Sequence, residues 1–220
     1  MTTTVSNTGL GDSITYGIGD PFGNSYRRRH RSNVMAARPD IVISDIGPNM
    51  NGDSPTDRFC ATVGITVEGL QAIIPATFGP GLYQPQTMVV LIGANNAATQ
   101  ALTDAFMVDY PAMMTTLHGL LPSTGYMVSK LTPSTVARGD VPSLTRQTLI
   151  DQINDALPGI WTTLEGSGLI LEPATPILKG PADFDPSEGA TYIHPNPVGY
   201  AKLADTYTAP YLRLLARLGF

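Results

Sequence analysis

Short runs of β-branched and apolar residues, each closed off by turn residues, alternate along this 220-residue chain with stretches of helical periodicity. That alternation constrains the fold more than any other feature. Residues 41–44, 88–92, 126–131 and 169–171 read as strands, and a weaker strand precedes Gly9. Helical spacing runs through 25–37, 67–74, 99–121 with an interruption near Pro111, 144–164 with a break at Pro158, and 197–218. A strand reached through a helix pairs in parallel with its predecessor, and right-handed crossovers pack the helices back onto both faces of the sheet. The pattern predicts an α/β fold with a five-stranded parallel flavodoxin-like sheet, whose ligands sit beyond the carboxyl ends of the strands. Chemistry is therefore to be sought in loops 9–23, 47–66, 93–99, 132–142 and 173–195.

Apolar residues make up 42% of the chain and charged residues 14%, enough for a sizeable core and too little charge for a disordered chain. No break in composition divides it, so residues 1–220 read as a single domain. A net charge of −5 argues against a nucleic-acid partner. The basic cluster Arg27, Arg28, Arg29, His30 and Arg31 lies where Tyr26, His30, Val34 and Ala37 recur at helical spacing, which places most of the arginines on a solvated face. With Cys60 alone, neither an intramolecular disulfide nor a four-cysteine zinc site can form. No stretch approaches the roughly 18 consecutive apolar residues of a membrane span. Residues 1–8 lack the basic start and apolar core of an export signal, although a signal already removed would leave no trace. A soluble monomer is expected, its compartment undetermined.

Three histidines make the search for a catalytic base short. His30 sits in the arginine-rich helix and His118 near the end of an amphipathic one, both structural or surface positions. His194 lies on a loop after a strand, just before Pro195-Asn196-Pro197 and the last helix, where an imidazole can face a pocket. In Gly9-Leu10-Gly11-Asp12-Ser13-Ile14, Ser13 follows the first strand among glycines that let the backbone turn sharply. Alone it reads equally well as a helix N-cap, and its hydroxyl is a poor nucleophile until paired with a base such as His194.

Gly11-Asp12-Ser13-Ile14, the strand at 41–45, Gly64 within Thr62-Val63-Gly64-Ile65-Thr66, Gly93-Ala94-Asn95-Asn96 and Ile193-His194-Pro195-Asn196-Pro197-Val198-Gly199-Tyr200-Ala201 occur in that order. Together they resemble, over nearly the whole chain, the blocks of the SGNH hydrolases, also called the GDSL esterase and lipase family. The resemblance implies a three-layer α/β/α sandwich in which Ser13, as nucleophile, meets His194, as general base, at the carboxyl edge of the sheet. It implies an oxyanion hole made by the Ser13 N–H, the Gly64 N–H and the Asn95 side chain, donors that would meet the charge developing on an attacked carbonyl. Asp12 and Asn96 are the accompanying candidates for substrate binding. No metal or organic cofactor is implied.

Two positions depart from the family pattern. Thr191 stands three residues before His194, where the family carries the aspartate that orients the imidazole, and Asn96 replaces another aspartate. A backbone carbonyl or hydroxyl from Thr191, a carboxylate from Glu188, Asp185 or Asp183, or an unassisted Ser13–His194 dyad would each answer the first departure. The function expected is hydrolysis of a small-molecule or polysaccharide ester. Block order and size resemble compact acetyl xylan esterases, and the Gly- and Pro-rich, low-charge composition resembles secreted enzymes. An arylesterase, a lysophospholipase and a non-catalytic carbohydrate-binding module with a decayed site are the alternatives.

Overall fold

The computed structural model describes residues 2–21, 25–50, 57–134, 146–178, 181–187 and 193–220. Its first half runs β1 (Thr3–Gly11), α1 (Ser13–Tyr16), α2 (Arg27–Ala37), β2 (Ile41–Asp45), β3 (Asn49–Met50), β4 (Arg58–Ala61) and α3 (Val67–Phe78). The second half runs β5 (Thr87–Leu91), α4 (Gln100–Leu120), β6 (Gly125–Ser129), α5 (Arg146–Gly166), β7 (Ile170–Ala174) and α6 (Pro197–Arg217).

Five strands pair in parallel in the order β2-β1-β5-β6-β7, the flavodoxin-like order. The sheet carries two strands more than the five expected. β1 is nine residues long, and its pairing with β2 ends at Asn7 opposite Asp45. The backbone groups beyond that point need partners, and β4 supplies them by pairing Leu10 with Cys60 and Gly11 with Ala61. The two-residue β3 then folds antiparallel onto β4.

Alternate residues of β5 divide the core between the two faces. Met88 and Val90 pack with Leu70 and Ile74 of α3, Phe106 and Met113 of α4, and Ile153 and Leu157 of α5. Val89 and Leu91 pack on the other side with Val34 of α2 and with Leu203, Tyr207 and Tyr211 of α6. The result is a three-layer α/β/α arrangement. Burial on both faces accounts for the unbroken apolar run of β5, which a half-solvated strand would interrupt with polar residues.

Both prolines expected to break helices lie inside continuous ones, Pro111 in α4 and Pro158 in α5. An interior proline costs about 3 kcal/mol, whereas each large apolar side chain buried contributes roughly 1.5–3 kcal/mol. α4 buries Phe106 and Tyr110 before its proline and Met113, Met114 and Leu117 after it, so the helix that keeps all five against the sheet wins. The same reasoning covers α5, with Ile153 and Leu157 before Pro158 and Trp161 and Leu164 after.

Candidate active site

Ser13 is placed by a tight junction between β1 and α1. A Cβ on Gly11 would lie 2.1 Å from the Leu91 carbonyl oxygen, so only glycine lets β1 approach β5 this closely before the turn. Asp12 is extended, and its side chain caps α1 by accepting from the Ile14 N–H at 3.0 Å. The far end of α1 is clamped from α2: the Ser25 hydroxyl donates to the Ile14 carbonyl at 2.8 Å, and the Arg27 guanidinium donates to the carbonyls of Thr15 and Tyr16. Arg27 is held in turn by two 3.1 Å bonds to the Asp57 carboxylate and lies over the Phe59 ring. Arg28 and Arg29 are exposed as expected, but Arg27 is buried. The signal for it was its phase, since Arg27, His30 and Val34 at i, i+3 and i+7 share the buried face of α2.

His194 is fixed by the chain on both sides of it. Its carbonyl accepts from the Asp185 N–H at 2.9 Å, the Asn196 N–H donates to the Asp183 carbonyl at 3.0 Å, and Phe184 bridges Pro195 in antiparallel fashion. Asn196 caps α6 through the N–H groups of Val198 and Gly199, with Pro197 in the first turn, where a missing N–H costs nothing. The loop after α1 closes over this segment. Gly19, at φ +88°, runs so near that a Cβ would stand 2.6 Å from the Pro195 carbonyl oxygen, and the Tyr200 hydroxyl donates to the Ile18 carbonyl at 2.6 Å. Two loops 181 residues apart in sequence thereby meet, with His194 Nε2 2.8 Å from Ser13 Oγ. In the tautomer protonated on Nδ1, Nε2 accepts a hydrogen bond from the serine hydroxyl.

Gly64 and Asn95 lie on loops that are bonded to each other and to β1. The Ile65 N–H reaches back to the Thr62 carbonyl, and Gly64 has φ +77°. Val63 is not among the described residues with positive φ, which makes this a type II turn with glycine at its required position. The turn is tied to β1 by the Thr62 N–H on the Gly11 carbonyl, and to the loop after β5 by the Asn95 amide, which donates to the Ile65 carbonyl at 2.9 Å. A primary amide has two N–H groups, so one donor of Asn95 remains beyond that bond. Asn96 is only 1% exposed; its side chain accepts from the Val67 N–H at 3.0 Å and donates to the Leu102 carbonyl at 3.4 Å. Its groups are spent on holding α3 to the loop, and Asp12 is equally enclosed at 1% exposure, so neither residue is an open contact for a substrate.

Among the carboxylates that might orient His194, Asp183 is buried and accepts from Lys202 Nζ at 2.5 Å. Asp185 accepts from the Ser187 N–H, and those Ser187 bonds hold its carboxyl below the usual range. Thr191 and Glu188 lie outside the described residues. Burial pushes the Asp12 carboxyl up to about 6, opposed by the Ile14 N–H, the charge of His194, the Ala94 N–H and the charge of Arg146. Among the described residues, no three His, Cys, Asp or Glu side chains converge as a metal site would require. A cavity of about 360 Å³ beside the histidine loop is lined by Gly19, Asp20, Pro21 and Asp185. Another, of about 380 Å³, lies between α2 and α6 and is lined by neither Ser13 nor His194.

A doubly wound sheet that brings a serine and an imidazole into hydrogen-bond contact at its carboxyl edge is an arrangement in which a base can activate a hydroxyl. Residues 10–202 match the model of the GDSL-like lipase/acylhydrolase family, so the chain belongs to that family and is an ester-hydrolysing enzyme. No curated protein matches it in sequence. Among solved structures, the fold is similar to a Clostridium thermocellum family 3 carbohydrate esterase, with TM-score 0.76, 20% identity, and coverage of 98% of this chain and 99% of that one. A carbohydrate esterase family 3 protein from Talaromyces cellulolyticus gives 0.65, 16%, 97% and 99% for the same measures. The lipase/acylhydrolase from Enterococcus faecalis gives 0.59, 16%, 96% and 95%. At these identities the likeness speaks for the fold alone.

Proposed function

We propose that this chain, acting as one domain, removes O-acetyl or other short acyl groups from carbohydrate, with Ser13 as nucleophile and His194 as general base. The observation that carries the reading is the 2.8 Å approach of His194 Nε2 to Ser13 Oγ, within the range over which a base takes a hydroxyl proton. Ser13 Oγ attacks the ester carbonyl as its proton passes to Nε2, and the resulting tetrahedral oxyanion is met by the N–H groups of Ser13 and Gly64 and by the Asn95 amide. Ser13 is the first residue of α1, so its N–H has no acceptor within the helix, which suits that task. The imidazolium returns the proton to the departing sugar oxygen, and water repeats the sequence to release the acid and free Ser13.

Carbohydrate is favoured over a lipid because the cavity beside the histidine loop presents the carboxylates of Asp20 and Asp185, which accept hydrogen bonds from hydroxyls. The names of the two family 3 carbohydrate esterases similar in fold point the same way. The test is hydrolysis of p-nitrophenyl esters of increasing chain length together with acetate release from acetylated xylan. Acetate esters should be cleaved fastest, and Ser13→Ala should lower kcat by about three orders of magnitude or more. Equal rates for the two proteins would indicate a non-catalytic carbohydrate-binding module instead, and a preference for long acyl chains would indicate a lipase.

A further inference from the structure

The loop after β5 is held together on both sides of Asn95 by its own neighbourhood. The Gly93 carbonyl accepts from the N–H groups of Asn96 and Ala97 at 3.0 and 3.1 Å, and the Asn96 carbonyl accepts from the Thr103 hydroxyl at 3.2 Å. The Ala94 carbonyl is turned elsewhere: it accepts from the guanidinium of Arg146, at the start of α5 and 52 residues away in sequence. That carbonyl belongs to the peptide joining Ala94 to Asn95. A peptide unit is planar, so holding its oxygen also holds the bond from its nitrogen to the Asn95 Cα. Rotation of the plane would change φ of Asn95, here −80°, and swing the side chain away from its present direction.

Arg146 is only 2% exposed, so it is closed off from solvent and substrate and acts through the groups it holds. Burying a cation is costly, and a neutral amide could also bond a carbonyl. What the guanidinium adds is a charge-assisted bond, about twice as strong as a neutral one, from a rigid planar donor. Docking of α5 does not call for it. Leu149, Ile150, Ile153 and Leu157 seat that helix in the core, and Gln147 ties it to the loop after β6 by accepting from the Ser134 N–H at 2.7 Å. We propose that Arg146 is a positioning residue for Asn95: by gripping the Ala94 carbonyl it aims the amide hydrogen left over from the Ile65 bond at the oxyanion. This rests on the assignment of Ser13, His194 and Asn95 as the reacting machinery. A misplacement of about 1 Å in such a donor costs on the order of a hundredfold in rate.

The test is a double-substitution cycle read in kcat and KM on p-nitrophenyl acetate. It compares the unsubstituted enzyme with Arg146→Met, Asn95→Ala and the two combined, with rates expressed per folded molecule from denaturation curves. Arg146→Met should lower kcat by about a hundredfold with KM little altered. On the Asn95→Ala background the same change should cost less than about threefold, because the side chain it positions is gone. An unchanged kcat, or the same hundredfold loss on that background, overturns the proposal, since a merely structural role would act whether or not Asn95 is present. Should Arg146→Met not fold, Arg146→Lys carries the same cycle: lysine keeps the charge, loses the planar fork and should lose activity by the same route. The side-chain amide ¹⁵N resonance of Asn95, assigned by its loss in Asn95→Ala, should also move in Arg146→Lys, and an unmoved resonance overturns the placement. A moved resonance in a protein whose unsubstituted form hydrolyses no ester supports the placement of Asn95 and removes the esterase reading, so the two failures are distinguishable.

Discussion

Asp12 makes the junction between β1 and α1 expensive to fold. An acid raised from 3.8 to about 6 by burial binds its proton more tightly in the native state than in the unfolded chain. Between those two values, rising pH therefore takes stability away, and above about 6 the full loss is present, on the order of 3 kcal/mol. Asp12→Asn should be more stable than the unsubstituted protein at pH 7 by up to about 3 kcal/mol in urea unfolding. The advantage should shrink as pH falls from 6 towards 4, and a pH-independent difference would contradict this account.

Asn95 and Asn96 are adjacent and chemically identical, yet their surroundings divide their work. Asn95 gives one amide proton to the Ile65 carbonyl and is half-buried, whereas both ends of the Asn96 side chain are bonded to backbone. Asn95→Ala should lower kcat by about a hundred- to a thousand-fold, the usual cost of an oxyanion donor, with KM little altered. Asn96→Ala should leave kcat per folded molecule nearly intact and cost about 1–3 kcal/mol of stability by stranding the Val67 N–H. Steady-state kinetics and denaturant curves on both variants check the division, which fails if the two effects are exchanged.

At the scale of elements, the pairing of α2 with α6 matters most, because α2 clamps the α1 carbonyls and the start of α6 carries the chain from His194. His30 lies at the centre of that contact, edge-on to Tyr211 with 4.8 Å between ring centroids, and neither ring nitrogen has a hydrogen-bond partner. Burial pushes His30 down to about 4, and the nearby Ala204 backbone only partly offsets it. The native state keeps the ring neutral while the unfolded chain takes a proton below about 6.5. Stability contributed by this site is complete above that pH and is lost as pH falls towards 4, by on the order of 3 kcal/mol. Asp12 and Asp45, both raised to about 6, push in the opposite direction, so the useful quantity is the difference between the protein and His30→Phe. Relative to the unsubstituted protein, that variant should gain stability steadily from pH 6.5 to 4. A flat difference would mean that His30 stays unprotonated in both states or finds a partner when charged.

Across the whole molecule, the parts legible in the sequence are those governed by local pattern. The run Met88-Val89-Val90-Leu91 read as a strand, and the alternation of such runs with helical spacing pointed to the parallel, flavodoxin-like sheet. Position after a strand made Ser13 and His194 candidates only, and the resemblance of their sequence blocks is what paired them. What stayed hidden depended on partners distant in sequence. Nothing local distinguishes Arg58–Ala61 as a strand; it becomes one because β1 outruns β2. Proline propensity at 111 and 158 is a true local signal, overruled by burial summed over the flanking turns. Arg27 read as a surface charge because the guanidinium's partner, Asp57, is 30 residues away across the sheet edge. Asp12 read as a substrate contact because the motif conveys its position but not its enclosure.

The central claim is that the hydroxyl of Ser13, activated by His194, is the atom that attacks the ester. Treatment with diethyl p-nitrophenyl phosphate followed by peptide mass spectrometry tests it directly, since that reagent phosphorylates an activated serine and requires no knowledge of the natural substrate. One diethylphosphoryl group should appear on the peptide containing Ser13, with activity lost in proportion, and labelling should slow by orders of magnitude in His194→Ala. A label on another residue, or labelling of Ser13 at the same rate without the imidazole, would contradict the account.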